Sequence, residues 1–162
     1  MATTYTAEQF EGNPGQNFNL TDNGPGTAPL QRVSFRRSYD VLSSVTAPGN
    51  FTGTLTLSFE PDDSVNVPGS PDLVVAKRDG GAPNNWLNLG RSAYTGGPGV
   101  VGGPYLSGTL TSQSFSNFSD FALGAQNPGG PVNPFGATSN PLPVMLIRFS
   151  AQRRTDQTVS VS

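Results

Sequence analysis

The sequence predicts an all-β, antiparallel fold, and three observations carry that prediction. Apolar and polar residues alternate with a period of two along several stretches, while the 3.6-residue period of an amphipathic helix is nearly absent. Gly 20 and Pro 15 together make up more than a fifth of the 162 residues, a composition of turns and short strands. Charged residues supply only 12% of the chain, against a usual share of about 25%. A single domain of this size buries roughly 68–70% of the surface its unfolded chain exposes, so it needs no disulfide or metal staple.

Taken in order, Val33, Phe35, Tyr39 and Val41 share one face of a first strand, interrupted there by Arg37. Ala47-Pro48-Gly49-Asn50 supplies a turn, and Phe51 to Glu60 forms the clearest strand, so these two strands are expected to be neighbours. In the second of them Phe51, Leu55, Leu57 and Phe59 face one way and Thr52, Thr54, Thr56, Ser58 and Glu60 the other; Pro61 ends it, because proline cannot donate to a ladder. Leu73 to Lys77 reads as a short apolar strand and Asp79-Gly80-Gly81 as a turn. Asn85 to Leu89 returns as the partner strand, with Trp86 and Leu87 on opposite faces. Tyr105 to Thr111 and Phe115 to Leu123 complete a set of at least six short strands. Their number and spacing favour a sandwich, immunoglobulin-like or jelly-roll-like, over a barrel or a parallel sheet.

The sandwich module is therefore expected over residues 1–124. Residues 125–143 carry Asn127-Pro128, Asn133-Pro134 and Asn140-Pro141 among repeated glycines, which disfavours regular pairing and reads as a linker. Residues 144–162 then hold the strand Val144 to Ala151, a turn at Arg153-Arg154-Thr155-Asp156, and the start of another strand over Thr158 to Val161. In the first of these Met145, Ile147 and Phe149 lie on one face and Val144, Leu146 and Arg148 on the other. Left unpartnered, it would expose both apolar side chains and ladder groups. Burial of Met, Ile and Phe is worth roughly 1.5–3 kcal/mol each, so the tail is expected to be docked. It either folds back on its own sandwich or is donated to a neighbouring copy. In both cases Val144, Met145, Leu146, Ile147 and Phe149 form the strand-addition interface, and head-to-tail donation without ring closure produces a filament.

Composition removes most chemistry. With Cys 0 and His 0 there is no thiolate nucleophile, no imidazole base and no Ser-His-Asp arrangement, and most zinc ligand sets are excluded. No cofactor, metal or catalytic residue is expected. The formal charge of −2 leaves no basic footprint for nucleic acid. The longest apolar stretch, Val144 to Ile147, is far too short to span a bilayer, so no membrane insertion is expected. Met1 to Tyr5 has neither a basic nor an apolar leader region, so no signal peptide is expected at that end.

Several side chains are candidates for sites. Asp62, Asp63, Asp72 and Asp79 are calcium candidates by charge, but they lack EF-hand or nonapeptide spacing and read as solvated loop carboxylates. Glu60 with Asp62 or Asp63 would need to converge across a cleft to act as a glycosidase pair, whereas they are adjacent turn residues. Trp86, Tyr94 and Tyr105 form a possible glycan-stacking platform, with Trp86 as a core residue the competing reading. Arg36-Arg37 and Arg153-Arg154 read as solvated pairs. Asn19, Asn50 and Asn117 each begin an N-glycosylation triplet, a pattern that chance also produces in a chain rich in Asn, Ser and Thr.

A set of motifs carries a resemblance. Arg36-Arg37-Ser38-Tyr39-Asp40-Val41, the strand Gly53 to Glu60, Asp72-Leu73-Val74-Val75, the Asp79-Gly80-Gly81 turn leading to Trp86 and Leu89-Gly90, and Ser114 to Gly124 together resemble a β-sandwich module. That module is found near the C-terminus of secreted and surface proteins of Bacteroidota exported by the type nine secretion system. Asn140-Pro141-Leu142-Pro143-Val144 with Phe149 to Arg153 resembles the start of the fibronectin-like segment that precedes the sorting domain in those proteins. Met145 stands where an acidic residue is common. The resemblance covers Arg32 to Gln152, and it implies a sandwich fold, an extracellular or cell-surface location and no catalytic residues. It also implies that Ser64, in Asp63-Ser64-Val65, is an O-glycosylation site in an accessible loop. The expected function is thus a non-enzymatic structural or adhesive surface module, self-associating by strand addition. A carbohydrate-binding accessory module recognising surface glycans and a viral coat or fibre protein are the alternatives.

Overall fold

The computed structural model describes residues 5–15, 28–43, 51–78, 85–126, 135, 151–153 and 159–161. Among them the chain is all-β and antiparallel, as expected, with one short 3-10 turn, η1 (Pro61–Asp63), and no α-helix. The larger sheet contains β1 (Tyr5–Glu11), β2 (Leu30–Val33), β3 (Arg37–Ser43), β5 (Leu73–Arg78), β6 (Leu87–Gly90) and β9 (Asp120–Gln126). Its order is β1-β3-β9-β5-β6, and β2 also pairs with β9. A second sheet has the order β4 (Thr56–Phe59), β8 (Gly108–Thr111), β7 (Ala93–Tyr94). In the tail, β10 (Ala151–Arg153) and β11 (Val159–Val161) pair with each other, Ala151 opposite Val161.

The core lies between the two larger sheets. Leu57, Phe59 and Leu110 from the second sheet meet Val41, Leu73, Val75, Leu89, Phe121 and Leu123 from the first. The alternation expected for residues 51–60 is observed residue by residue, with Leu57 and Phe59 buried, Phe51 and Leu55 half-buried, and Thr52, Thr54, Thr56 and Ser58 exposed. Phe51, Phe115, Phe118 and Phe121 extend this core as a chain of tilted and edge-on rings 4.5–6.1 Å apart. A smaller cluster, Leu30, Val33, Val74, Ala76, Trp86 and Ala122, packs on the outer face of the larger sheet. Gly124 lies beneath it: a Cβ at that position would stand 2.9 Å from Leu30 Cδ2 and 3.2 Å from Ala76 Cβ, so no larger residue fits without repacking.

Three expectations are corrected. The strands around Val41 and Leu57 are not neighbours, because β3 pairs with β1 and β9 whereas β4 pairs with β8 in the opposite sheet. Val33 and Val41 do not share a face either. Val33 lies opposite Gly124 and Tyr39 opposite Phe121, and the irregular residues Ser34–Arg36 between β2 and β3 shift the register along β9 by an odd number, turning the face over. Finally, β9 runs two residues past the expected end of the module, with Ala125 fully buried. Phe135, inside the stretch read as a linker, is bridged to Val65 and buried in the main core.

Polar groups close the ends of the larger sheet. Asn88, fully buried, donates from Nδ2 to Ala28 O (2.5 Å) and Gln126 Oε1 (2.7 Å) and accepts from Gly90 N–H through Oδ1 (2.8 Å). Each of these groups would be costly to bury without its partner.

Candidate functional site

The site that the architecture leaves open is the β1 border of the larger sheet. β1 pairs with β3 over seven positions, from Tyr5 opposite Ser43 to Glu11 opposite Arg37, and has no strand on its other side among the described residues. Residues 6–11 are exposed throughout, on both faces of the ladder. The opposite border behaves differently, since Asn88, Leu89 and Gly90 of β6 are buried. Exposed Phe10 (51%) and Leu42 (54%) lie on one face of the β1-β3 pair: Leu42 is opposite Thr6, and Thr6, Glu8 and Phe10 alternate on the same side. An edge of this length presents a row of backbone donors and acceptors. Glu8 and Glu11 are its charges, and it contains neither proline nor lysine, the usual devices against pairing.

Two knots hold β1 in place. At its end Glu11 lies 3.7 Å from Arg36 and 3.8 Å from Arg37, and Gly12 N–H donates to Arg36 O (2.6 Å). Arg37, only 12% exposed, reaches across to η1, donating to both oxygens of Asp62 at 2.8 Å. It also meets buried Asp63 at 2.9 Å as an ion pair without hydrogen-bond alignment. Burial alone would lower the Arg37 guanidinium, but Asp63, Asp62 and Glu11 together raise it above its ordinary value; burial raises Asp63. Arg37 is therefore a clip from β3 to η1 and not a solvated side chain, while Arg36, 41% exposed, joins Asp62 from the surface. The second knot lies further along, where Arg78 Nη1–H donates to Pro14 O (2.7 Å) and Trp86 Nε1–H to Gly15 O (3.0 Å).

This placement decides several sequence-based candidates. Trp86 is fully buried beneath Pro14-Gly15, with the Arg78 guanidinium 4.4 Å from its ring, so it offers no stacking face. Tyr94 is exposed on β7 in the other sheet with Arg91 over its ring at 4.9 Å, and Tyr105 is half-buried. The three aromatics do not form one platform. Ser64 is not in an accessible loop. It closes η1 in the left-handed region (φ 61) and is buried between Asp63 and Val65, which opposes modification of the folded chain. Glu60 accepts from Ser107 Oγ (2.7 Å), and its N–H donates to Asp63 (2.9 Å), so these carboxylates serve the turn and the clip. Among the described residues no group of three or more potential ligands could hold a metal, and no helix is long and apolar enough to cross a membrane. Asn117 is exposed, while Ser119 of the same triplet donates to Arg78 O and is buried. Asn19, Asn50, Asp79, Arg154 and the whole interface Val144 to Phe149 lie outside the described residues.

One electrostatic feature crosses the outer face near β1. Glu8, Asp40, Asp120 and Arg78 are successive cross-strand partners on β1, β3, β9 and β5. Arg78 is committed to Asp120 at 2.6 Å, so Asp40 faces two carboxylates. Desolvation, then Asp120, then Glu8 raise its pKa. A carboxyl raised on folding opposes the folded state wherever it is charged. Asp40→Asn is therefore expected to stabilise the protein at neutral pH by a few tenths of a kcal/mol, the scale of a like-charge cross-strand pair. The gain should disappear below the ordinary carboxylate range, where Asp40 is protonated in both states. Thermal melts of the two proteins at pH 7 and pH 3 check this.

Comparison with known proteins returned no matching family model, no matching curated protein and no matching solved structure.

Proposed function

We propose that the chain is a non-enzymatic structural or adhesive module of the extracellular surface that assembles with further copies of itself by strand addition at β1. The single observation that carries this reading is a seven-residue strand that pairs with β3 and, among the described residues, has no strand on its other side, with residues 6–11 exposed and Phe10 and Leu42 on its outer surface. Such a strand buries almost nothing within its own domain, and a strand added to its open side would satisfy its backbone groups. Val144 to Phe149 of a neighbouring copy is the donor this reading names, because its sequence has the alternation and apolar content of a pairing strand. The surface location rests on the resemblance to Bacteroidota sandwich modules.

Light scattering of the full chain tests the reading. Species larger than a monomer are expected, and both deletion of Val144 to Ser162 and the double substitution Phe10→Lys with Leu42→Lys are expected to return the chain to a monomer with its circular dichroism unchanged. Assembly unaffected by the deletion would eliminate donation by the tail.

A further inference from the structure

The outward face of the β1 border carries a charge pattern. Glu8 lies opposite Asp40, and Asp40 opposite Asp120, so three carboxylates stand in a row that runs inward from the open edge. Arg78 ends the row, opposite Asp120 and bound to it at 2.6 Å. Glu8 is exposed and Asp40 half-buried, and burial, Asp120 and Glu8 all raise the Asp40 carboxyl. Phe10 lies on one side of the row and Leu42 on the other, both on the same face. A strand arriving at β1 therefore meets negative charge at one level, with an apolar residue to either side.

This pattern favours some strands over others. A second copy of β1, laid alongside with full overlap in either orientation, would set Glu8 against Glu8 of the other copy and lengthen the row of like charges. The tail has the complementary pattern in its sequence. Arg148 is the only charge in Val144 to Ala151, and it shares a face with Val144 and Leu146, while Met145, Ile147 and Phe149 make up the other.

We propose that the carboxylate row selects the incoming strand: Val144 to Phe149 of a second copy adds antiparallel to β1 with Arg148 opposite Glu8, Leu146 opposite Phe10, and Met145, Ile147 and Phe149 on the core side. This inference rests on strand addition as proposed above and supplies the register, the face and the charge that specify it. Antiparallel addition continues the pairing of every strand in the sheet. A shift of two residues either way takes Arg148 off Glu8 and sets it at the level of Leu42 or against Phe10. Turning the tail over would lay its wholly apolar face on Glu8 and Asp40, leaving both without a counter-charge from the donor.

Charge exchange in the full chain tests the pairing. Arg148→Glu and Glu8→Arg are each expected to raise the concentration needed for half-assembly, read by light scattering, about tenfold, because each turns an attraction into a repulsion. An equimolar mixture of the two variants is expected to assemble at nearly the concentration of the unmodified chain, since every contact between unlike chains again sets Arg against Glu. Register is read by oxidation, as the chain has no cysteine of its own. Directly opposite residues bring their Cα atoms to about 4.5–5.5 Å, a span that a disulfide bridges. Phe10→Cys with Leu146→Cys is thus expected to give covalent multimers, and Phe10→Cys with Ile147→Cys is not. Assembly that needs the tail but is unmoved by either charge reversal, or multimers from the Ile147 pair instead, would overturn this register and leave strand addition standing. Assembly that survives deletion of Val144 to Ser162, or no assembly of the unmodified chain, would remove both.

Discussion

Replacing Trp86 with alanine is expected to destabilise the protein by about 3–5 kcal/mol, a large part of the 5–15 kcal/mol that holds a typical domain folded. The side chain is fully buried in the outer cluster with Leu30, Val33, Val74, Ala76 and Ala122, so its removal leaves a cavity with no solvent to fill it. Trp86→Phe separates the two contributions. It keeps most of the apolar volume but deletes the Nε1–H that donates to Gly15 O, and a loss of about 0.5–1.5 kcal/mol is expected for that hydrogen bond. Urea unfolding of the three proteins measures both steps as shifts in midpoint at constant slope. Because Gly15 follows β1, the Phe variant is also expected to speed proteolysis of the N-terminal strand more than of β5 or β9. Loss of any ligand on Trp86→Ala would report on the fold, not on a stacking contact.

Phe135→Ala is expected to cost a similar 3–5 kcal/mol, although the residue sits among prolines and glycines. Its ring is 2% exposed and packs in the main core, and its backbone bridges Val65. Val100→Ala is the control. Val100 is 64% exposed in a glycine-rich loop, and its replacement is expected to change stability by less than about 0.5 kcal/mol. Equal effects of the two substitutions in thermal or urea melts would show that Phe135 is not part of the core.

What could be read from the sequence follows from what each residue buries. Phe51 to Phe59 lies on a half-buried surface, so its alternation names the core face directly, and the β5-β6 pairing follows from two apolar runs on either side of Gly80-Gly81 in the sequence. β1 escaped notice for the converse reason. A strand exposed on both faces has no face to keep apolar, and Tyr5 to Glu11 carries no hydrophobic period. The single Phe135 likewise has no period to betray it. The partnership assigned to β3 and β4 failed because a Pro-Gly turn is equally compatible with a hairpin and with a crossing between sheets. Arg37 and Lys77 were charges in strands, and only the fold shows that one ties β3 to η1 and that the other is buried.

Hydrogen exchange of the Tyr5–Glu11 amides across a range of protein concentrations tests strand addition most directly. As the assembly grows, β1 is expected to become protected while β5 and β9, already flanked on both sides, keep the rates they have in the monomer. Exchange in β1 that stays fast while larger species accumulate would contradict strand addition at this edge.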